Sequence, residues 1–250
     1  MRAMKRSTLK VLRRAYNAAR RVSAGLRLVG ENVSPECTND LYVAHLSIYM
    51  FFSTFTAGHG VLDLGCGSGY GSAYLARNAK HVIGIDIDPR NIAYARAHFR
   101  DPALEFIVAD VQSPPSDLNV DTVVSSNVFE HLHDSSAALQ QVSRRLPRHG
   151  QFLLAVPPIF NEQMRATNNE IDFHHSNFFI WEWRALLEES FGSVEGFVHE
   201  APPGVQLDFD SPFPAQTTPG AFVFRPIEPA SQAQTWTLTA IYHCTNPLFA

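Results

Sequence analysis

The run Val61-Leu62-Asp63-Leu64-Gly65-Cys66-Gly67-Ser68-Gly69-Tyr70-Gly71 constrains the fold more than any other part of the 250-residue chain. An apolar strand passes there into a turn with glycine at alternate positions, and the next residues open a helix. Without a Cβ, glycine lets the backbone bend sharply and come close to a ligand, and a helix start points unbonded N–H groups toward it. A strand, a bare turn and a helix in that order are the first half of a βαβ unit, which needs a parallel sheet to complete it.

The rest of the chain supplies that sheet. Strands are predicted over 60–64, 81–86, 104–109, 120–126 and 150–156, with helices near 70–78, 89–99 and 134–146. The alternation predicts an α/β fold with a Rossmann-like, mostly parallel sheet, helices on both faces, and ligands bound beyond the carboxyl ends of the strands. A buried helix is expected upstream over 39–55. After Pro157 and Pro158 a polar segment runs to about 177, followed by a helix over 180–190, a strand over 194–199 and a final strand over 236–243. Residues 201–234 hold seven of the sixteen prolines and read as a long irregular loop. The expected organisation is an N-terminal region, 1–57, of a basic amphipathic helix and lid helices, then a main domain, 58–250, with insertions near 157–177 and 201–234.

Charge is unevenly placed. Nine of the twenty Lys and Arg lie between Arg2 and Arg27 and no acid precedes Glu31, which leaves eleven bases against twenty-four acids in the remainder. An acidic body of this kind speaks against a nucleic-acid partner. Leu9, Leu12, Tyr16, Ala19 and Val22 fall on one helical face ringed by arginines. Such a helix suits an anionic membrane surface, a partner protein, packing on its own domain or a mitochondrial presequence, but its scattered basic residues leave no apolar centre for a signal peptide. The apolar stretch 41–57 is broken by His45 and falls short of a membrane span. Cys37, Cys66 and Cys244 form no CxxC pair, so no disulfide framework or zinc site is expected. A cytoplasmic protein follows, with peripheral membrane attachment through the basic arm as an added expectation.

The glycine turn has two candidate ligands. A nicotinamide dinucleotide needs GxGxxG, but counting from Gly65 puts Tyr70 at the third glycine position and counting from Gly67 puts Ser72 there. Asp63, two residues before the turn, would meet a cationic ligand and repel a pyrophosphate. Asp86 ends the second strand, where a carboxylate can accept two hydrogen bonds from ribose hydroxyls; Asp88 is close by. Asp110 follows the third strand, within reach of an adenine amino group.

These residues resemble the class I S-adenosylmethionine-dependent methyltransferases over roughly residues 58–200. The resemblance implies a seven-stranded sheet with the last strand antiparallel and S-adenosylmethionine as methyl donor. It implies donor contacts from Asp63, Gly65, Cys66, Gly67, Gly69 and Tyr70 in the turn, Asp86 and Ile87 after the second strand, Asp110 and Val111 after the third, and Asn127 of Asn127-Val128-Phe129-Glu130-His131 after the fourth. A narrower likeness, carried by Gly30-Glu31-Asn32-Val33-Ser34-Pro35, Asn39-Asp40-Leu41-Tyr42 and Tyr70-Gly71-Ser72, resembles bacterial methyltransferases found with sugar and cell-surface glycan assembly.

Methyl transfer asks mainly for positioning, with a general base where the acceptor is a weakly acidic hydroxyl. His131 after the fourth strand and His174 and His175 after the fifth are the candidate bases, the last two lying in the segment that the resemblance places over the acceptor pocket. Capping of the following helix by Asp172, Ser176 and Asn177 is the plainer role for that segment. Glu130, Glu170, Asp172 and the histidines would also suit a divalent ion, but their spacing is not diagnostic and no metal is expected. Phe178, Phe179, Trp181 and Trp183 read as core rather than as a stacking surface. The expected function is methylation of a hydroxyl on a sugar, glycan precursor or other small metabolite. The alternatives are a non-catalytic S-adenosylmethionine-binding subunit of a biosynthetic complex and a nicotinamide-dependent oxidoreductase. The amino-group methylases' Asn-Pro-Pro-Tyr-type tetrad is replaced here by Asn127-Val128-Phe129.

Overall fold

The computed structural model describes Val33, Glu36, residues 38–209, Ser211, and residues 213–228 and 237–249. The expected basic helix near the N-terminus, most of the 30–35 motif, Cys37 and Trp236 lie outside the described residues. Among the described residues eight strands are present: β1 (Gly60–Leu64), β2 (His81–Asp86), β3 (Leu104–Val108), β4 (Thr122–Ser126), β5 (Gln151–Val156), β6 (Phe191–Glu200), β7 (Val223–Pro226) and β8 (Thr237–Pro247). They form one sheet in the order β3-β2-β1-β4-β5-β8-β6-β7. The first five pair in parallel, whereas β8 runs antiparallel to both β5 and β6, and β7 runs antiparallel to β6. β1 and β8 through its middle are buried, as strands covered on both faces must be, and their sequences are accordingly apolar.

Among the described residues six helices flank the sheet: α1 (Asp40–Thr56), α2 (Tyr70–Leu75), α3 (Pro89–His98), α4 (Ser135–Arg145), α5 (Glu162–Asn168) and α6 (Ile180–Glu188). Side chains alternate across a strand, so β1 sends Leu62 and Leu64 to one core and Val61 to the other. The first core joins Leu139 of α4 and Trp183 and Leu187 of α6 to Phe152, Leu154 and Tyr242. The second joins Ile48, Tyr49 and Phe52 of α1 and Leu75 of α2 to Val82, Val124, Leu153 and Ile241. Short polar side chains start the helices. Asn39 Oδ1 accepts from Tyr42 N at 3.1 Å, and Asp88, Asp134 and Asn161 cap α3, α4 and α5 in the same way. No helix among the described residues is long and apolar enough to cross a membrane.

The mostly parallel Rossmann-like sheet agrees with the expectation, and all seven expected strands are present. Two elements were not legible. β7 lies inside the segment read as irregular loop; four residues ending Arg225-Pro226, half-buried to exposed, carry no pattern without β6 beside them. α5 lies in the polar segment after β5 and buries none of its residues, so it has no apolar stripe to betray it. β2 and β3 lie on one side of β1, and β4 and β5 on the other. The chain therefore reverses its winding between β1 and β4, and the crevice opens beyond their carboxyl ends.

Candidate functional site

The glycine turn forms the floor of that crevice. Gly65, Gly67 and Gly69 have φ of 75°, 54° and 85°, a region closed to most side chains. The N–H groups of Gly65 and Cys66 both donate to Ile85 O at 2.8 Å, which sets the bend against β2. A Cβ on Gly65 would stand 2.4 Å from Val128 Cγ2, so the end of β1 lies directly against the end of β4. A Cβ on Gly69 would stand 2.6 Å from Ala95 Cβ and 2.8 Å from the Phe106 ring. The turn is bare because both neighbours press on it.

Asp63 differs from the expected direct contact with a cation. It is fully buried, and its carboxylate accepts from Ser72 Oγ at 2.6 Å and Tyr49 Oη at 3.3 Å, so it braces the turn from behind. Loss of solvent raises its pKa to about 7, against the lowering effect of those two hydrogen bonds. Cys66 is also buried, packed with Ile92, Ala95 and Phe106, and Tyr70 sits between the rings of Tyr42 and Tyr49.

Asp86 ends β2 and is largely buried, its carboxylate taken up by the turn and the helix that follows. Its Oδ2 accepts from Gly67 N at 3.0 Å, and its Oδ1 accepts from Asp88 N at 2.8 Å and Asn91 Nδ2 at 3.1 Å. One carboxylate thus ties the glycine turn to the start of α3. Ile87 beside it is 68% exposed, an apolar side chain held in solvent where a flat base could cover it. Asp110 closes its own turn through Gln112 N at 2.9 Å, and Val111 packs partly against the core. Asn127 has φ of 54°, a strained value for a residue with a side chain, at the point where β4 meets the crevice.

Beyond Asn127 a short 3-10 turn, Phe129–His131, faces the segment that leads into α6. Glu130 O accepts from both His175 N at 2.7 Å and Ser176 N at 2.9 Å. Ser176 Oγ also donates to Leu132 O at 2.9 Å and meets Ser135 Oγ at 2.8 Å. These bonds staple two segments more than forty residues apart, bringing His131, His174 and Glu130 together; their ligand-capable atoms all lie within 4.8 Å of one another. His131 Nδ1 lies 3.2 Å from Phe173 O, and its ring is 4.9 Å from that of His174. Burial lowers the His131 pKa, opposed by hydrogen bonding to the Phe173 and Asn127 carbonyls, and lowers that of His174 to about 3. His175 is exposed and stacks on His133 at 3.8 Å. Glu170 and Asp172 do not join the cluster. Nor do Asp172, Ser176 and Asn177 cap α6, since the first N–H there, Phe179 N, donates to Glu182 Oε2 at 2.8 Å. Trp183 is core as expected, whereas Trp181 is exposed and stacks on Phe179. Sequence reasoning missed Asn91 and Asn168, the side-chain partners of Asp86 and His174, because nothing in a lone asparagine marks what it will face.

The sequence model of a family described as a methyltransferase domain matches residues 62–154. A protein of Mycolicibacterium smegmatis named a probable S-adenosylmethionine-dependent methyltransferase is 34% identical over 175 residues, covering 69% of this chain and 67% of that protein. The chain belongs to the class I S-adenosylmethionine-dependent methyltransferases. A Mycobacterium tuberculosis protein of the same name is 31% identical over 54% of this chain, and the match spans 49% of that relative's length. A solved S-adenosylmethionine-dependent methyltransferase of Thermotoga maritima shares the fold, with a TM-score of 0.60 at 14% identity over 82% of this chain and 90% of that one. S-adenosylmethionine is the methyltransferase's cofactor. The crevice suits it: a turn without Cβ atoms at Gly65, Gly67 and Gly69, a carboxylate at Asp86, and an apolar surface at Ile87.

Proposed function

We propose that the protein transfers the methyl group of S-adenosylmethionine to a hydroxyl of a sugar, a glycan precursor or another small metabolite. One observation carries the reading: the histidine cluster is stapled to the end of β4, which itself presses on the glycine turn through Val128. Histidines beside a methyl donor serve an acceptor that must lose a proton, and a hydroxyl is such an acceptor. S-adenosylmethionine supplies an electrophilic methyl carbon on a sulfonium. The chain's residues supply the rest. Gly65, Cys66, Gly67, Gly69, Tyr70, Asp86, Ile87, Asp110, Val111 and Asn127 shape the donor side, with Asp63 behind them.

On the acceptor side we assign the hydroxyl proton to His175, which is exposed and stacked on His133. His174 is a poor proton acceptor, its pKa being pushed to about 3, and with His131 it orients the acceptor. The sugar and glycan class rests on the likeness of the Asn39-Asp40-Leu41-Tyr42 and Tyr70-Gly71-Ser72 segments to glycan-associated methyltransferases. The test is release of S-adenosylhomocysteine from purified protein offered nucleotide sugars, polyols and phenols. Turnover on a hydroxyl that falls on His175→Ala while donor affinity stays within twofold is the expected result. Turnover only on amines would overturn the hydroxyl assignment.

A further inference from the structure

The hydrogen bonds around His174 fix which of its nitrogens carries the proton. Asn177 Nδ2 donates to His174 O at 2.9 Å, which leaves Asn177 Oδ1 to accept from Asn168 Nδ2. Asn168 Oδ1 must then accept from His174 Nδ1, 3.0 Å away. His174 is therefore the Nδ1–H tautomer, and its Nε2 bears a lone pair. That atom is buried, in a residue only 8% exposed, and has no hydrogen-bond partner among the described residues. A buried acceptor without a donor is costly to keep, and structures that keep one have a use for it.

His131 Nδ1 likewise faces the Phe173 carbonyl and so donates to it, and its ring lies 4.9 Å from that of His174. The third member is the Glu130 carboxyl group, buried on the turn whose carbonyl takes the His175 and Ser176 N–H groups. Two imidazoles and one carboxylate, each on backbone pinned by hydrogen bonds, are the donor set of open divalent transition-metal sites. Their ligand atoms lie within 4.8 Å of one another, against roughly 3.3 Å between the ligands of a tetrahedral ion.

We infer that Glu130, His131 and His174 bind a divalent transition-metal ion of the zinc type, with Asn168 as the residue that positions His174. Three protein ligands leave coordination open for the acceptor, and an acceptor with two neighbouring oxygens would hold the ion best. This use of the site rests on the hydroxyl-transfer reading. A bound ion would make the hydroxyl it holds a stronger acid, and the hydroxyl proton would pass to water. The oxygen's electron pair then forms the bond to the methyl carbon as the carbon–sulfonium bond breaks, giving a methyl ether and S-adenosylhomocysteine.

The test uses chelator-treated full-length protein titrated with Co²⁺ alone, read by visible absorption and by equilibrium dialysis. One ion per chain with ligand-field bands, displaced by Zn²⁺, is expected. Binding should vanish in His174→Ala and weaken at least tenfold in the near-isosteric Glu130→Gln. Asn168→Ala should weaken it by roughly 10- to 100-fold, the usual loss when a metal ligand's partner is removed. Absence of a stoichiometric site in the wild-type protein, or affinity indifferent to all three changes, overturns the inference whether or not a variant folds poorly. Calorimetry with S-adenosylmethionine on the same samples separates the two readings. Donor binding without metal binding sinks the metal site alone, and metal binding without donor binding sinks the transfer reaction while the site stands.

Discussion

Gly69 and Gly58 provide a matched pair for weighing what the glycine turn requires. Both have strongly positive φ, 85° and 78°, so alanine at either forces an L side chain into the left-handed region, at about 1–2 kcal/mol. There the likeness stops. A Cβ at Gly58 meets nothing within 4 Å, whereas one at Gly69 stands 2.6 Å from Ala95 Cβ in α3 and 2.8 Å from the Phe106 ring in β3. Both of those neighbours are buried, and overpacking such a site adds about 1–3 kcal/mol. Gly69→Ala should therefore destabilise by about 2–5 kcal/mol and Gly58→Ala by about 1–2. Urea unfolding followed by tryptophan fluorescence measures both, with donor affinity taken by calorimetry on the folded protein. Gly69→Ala should also weaken S-adenosylmethionine, because the turn can relieve the overlap only by moving into the crevice. Equal losses of stability for the two variants, within about 0.5 kcal/mol, would refute the packing argument.

Asp86→Ala should weaken S-adenosylmethionine by about 1–3 kcal/mol, the range for a hydrogen bond to a charged group, and an unchanged dissociation constant in calorimetry would remove Asp86 from the donor site. It should also loosen the turn, since Gly67 N, Asp88 N and Asn91 lose their acceptor together. His199, fully buried between Ser47 Oγ at 2.8 Å and Thr239 Oγ1 at 3.4 Å, has its pKa lowered to about 3, chiefly by burial and then by His45. The unfolded chain binds a proton there below its ordinary pKa of about 6.5 and the folded chain does not, so this contribution is whole above that pH and falls away as pH drops toward 3. His199→Gln should flatten the acid limb of the stability profile by about 1.4 kcal/mol per pH unit. Parallel profiles for the two proteins would show that His199 does not titrate on unfolding.

The sheet was legible because parallel strands buried on both faces must be apolar along their length, and 60–64, 81–86 and 150–156 read that way without any partner in view. β7 and α5 were not, since one owes its existence to β6 and the other buries nothing. On the donor side Asp86 and the glycines could be nominated from spacing, because a bare turn and a strand-end acid leave marks in the sequence. Asp63 was found but misplaced: a carboxylate two residues before the turn looks the same whether it faces the crevice or Tyr49 and Ser72 behind it. The clustering of His131 with His174 depends on Glu130 O receiving two N–H groups from a segment some forty-five residues away. Backbone pairing of that kind has no side-chain signature, so the residues could be nominated singly but not assembled.

β8 lies between β5 and β6, although about eighty residues of chain separate it from the end of β5. A ribosome adding roughly 5–20 residues each second leaves a nascent chain with an unpaired β5 for on the order of ten seconds. During that time Phe152 to Val156, all wholly buried in the finished protein, border an open edge able to recruit any passing strand. Safe biogenesis of this enzyme therefore depends on what shelters that edge until the last strand slides in.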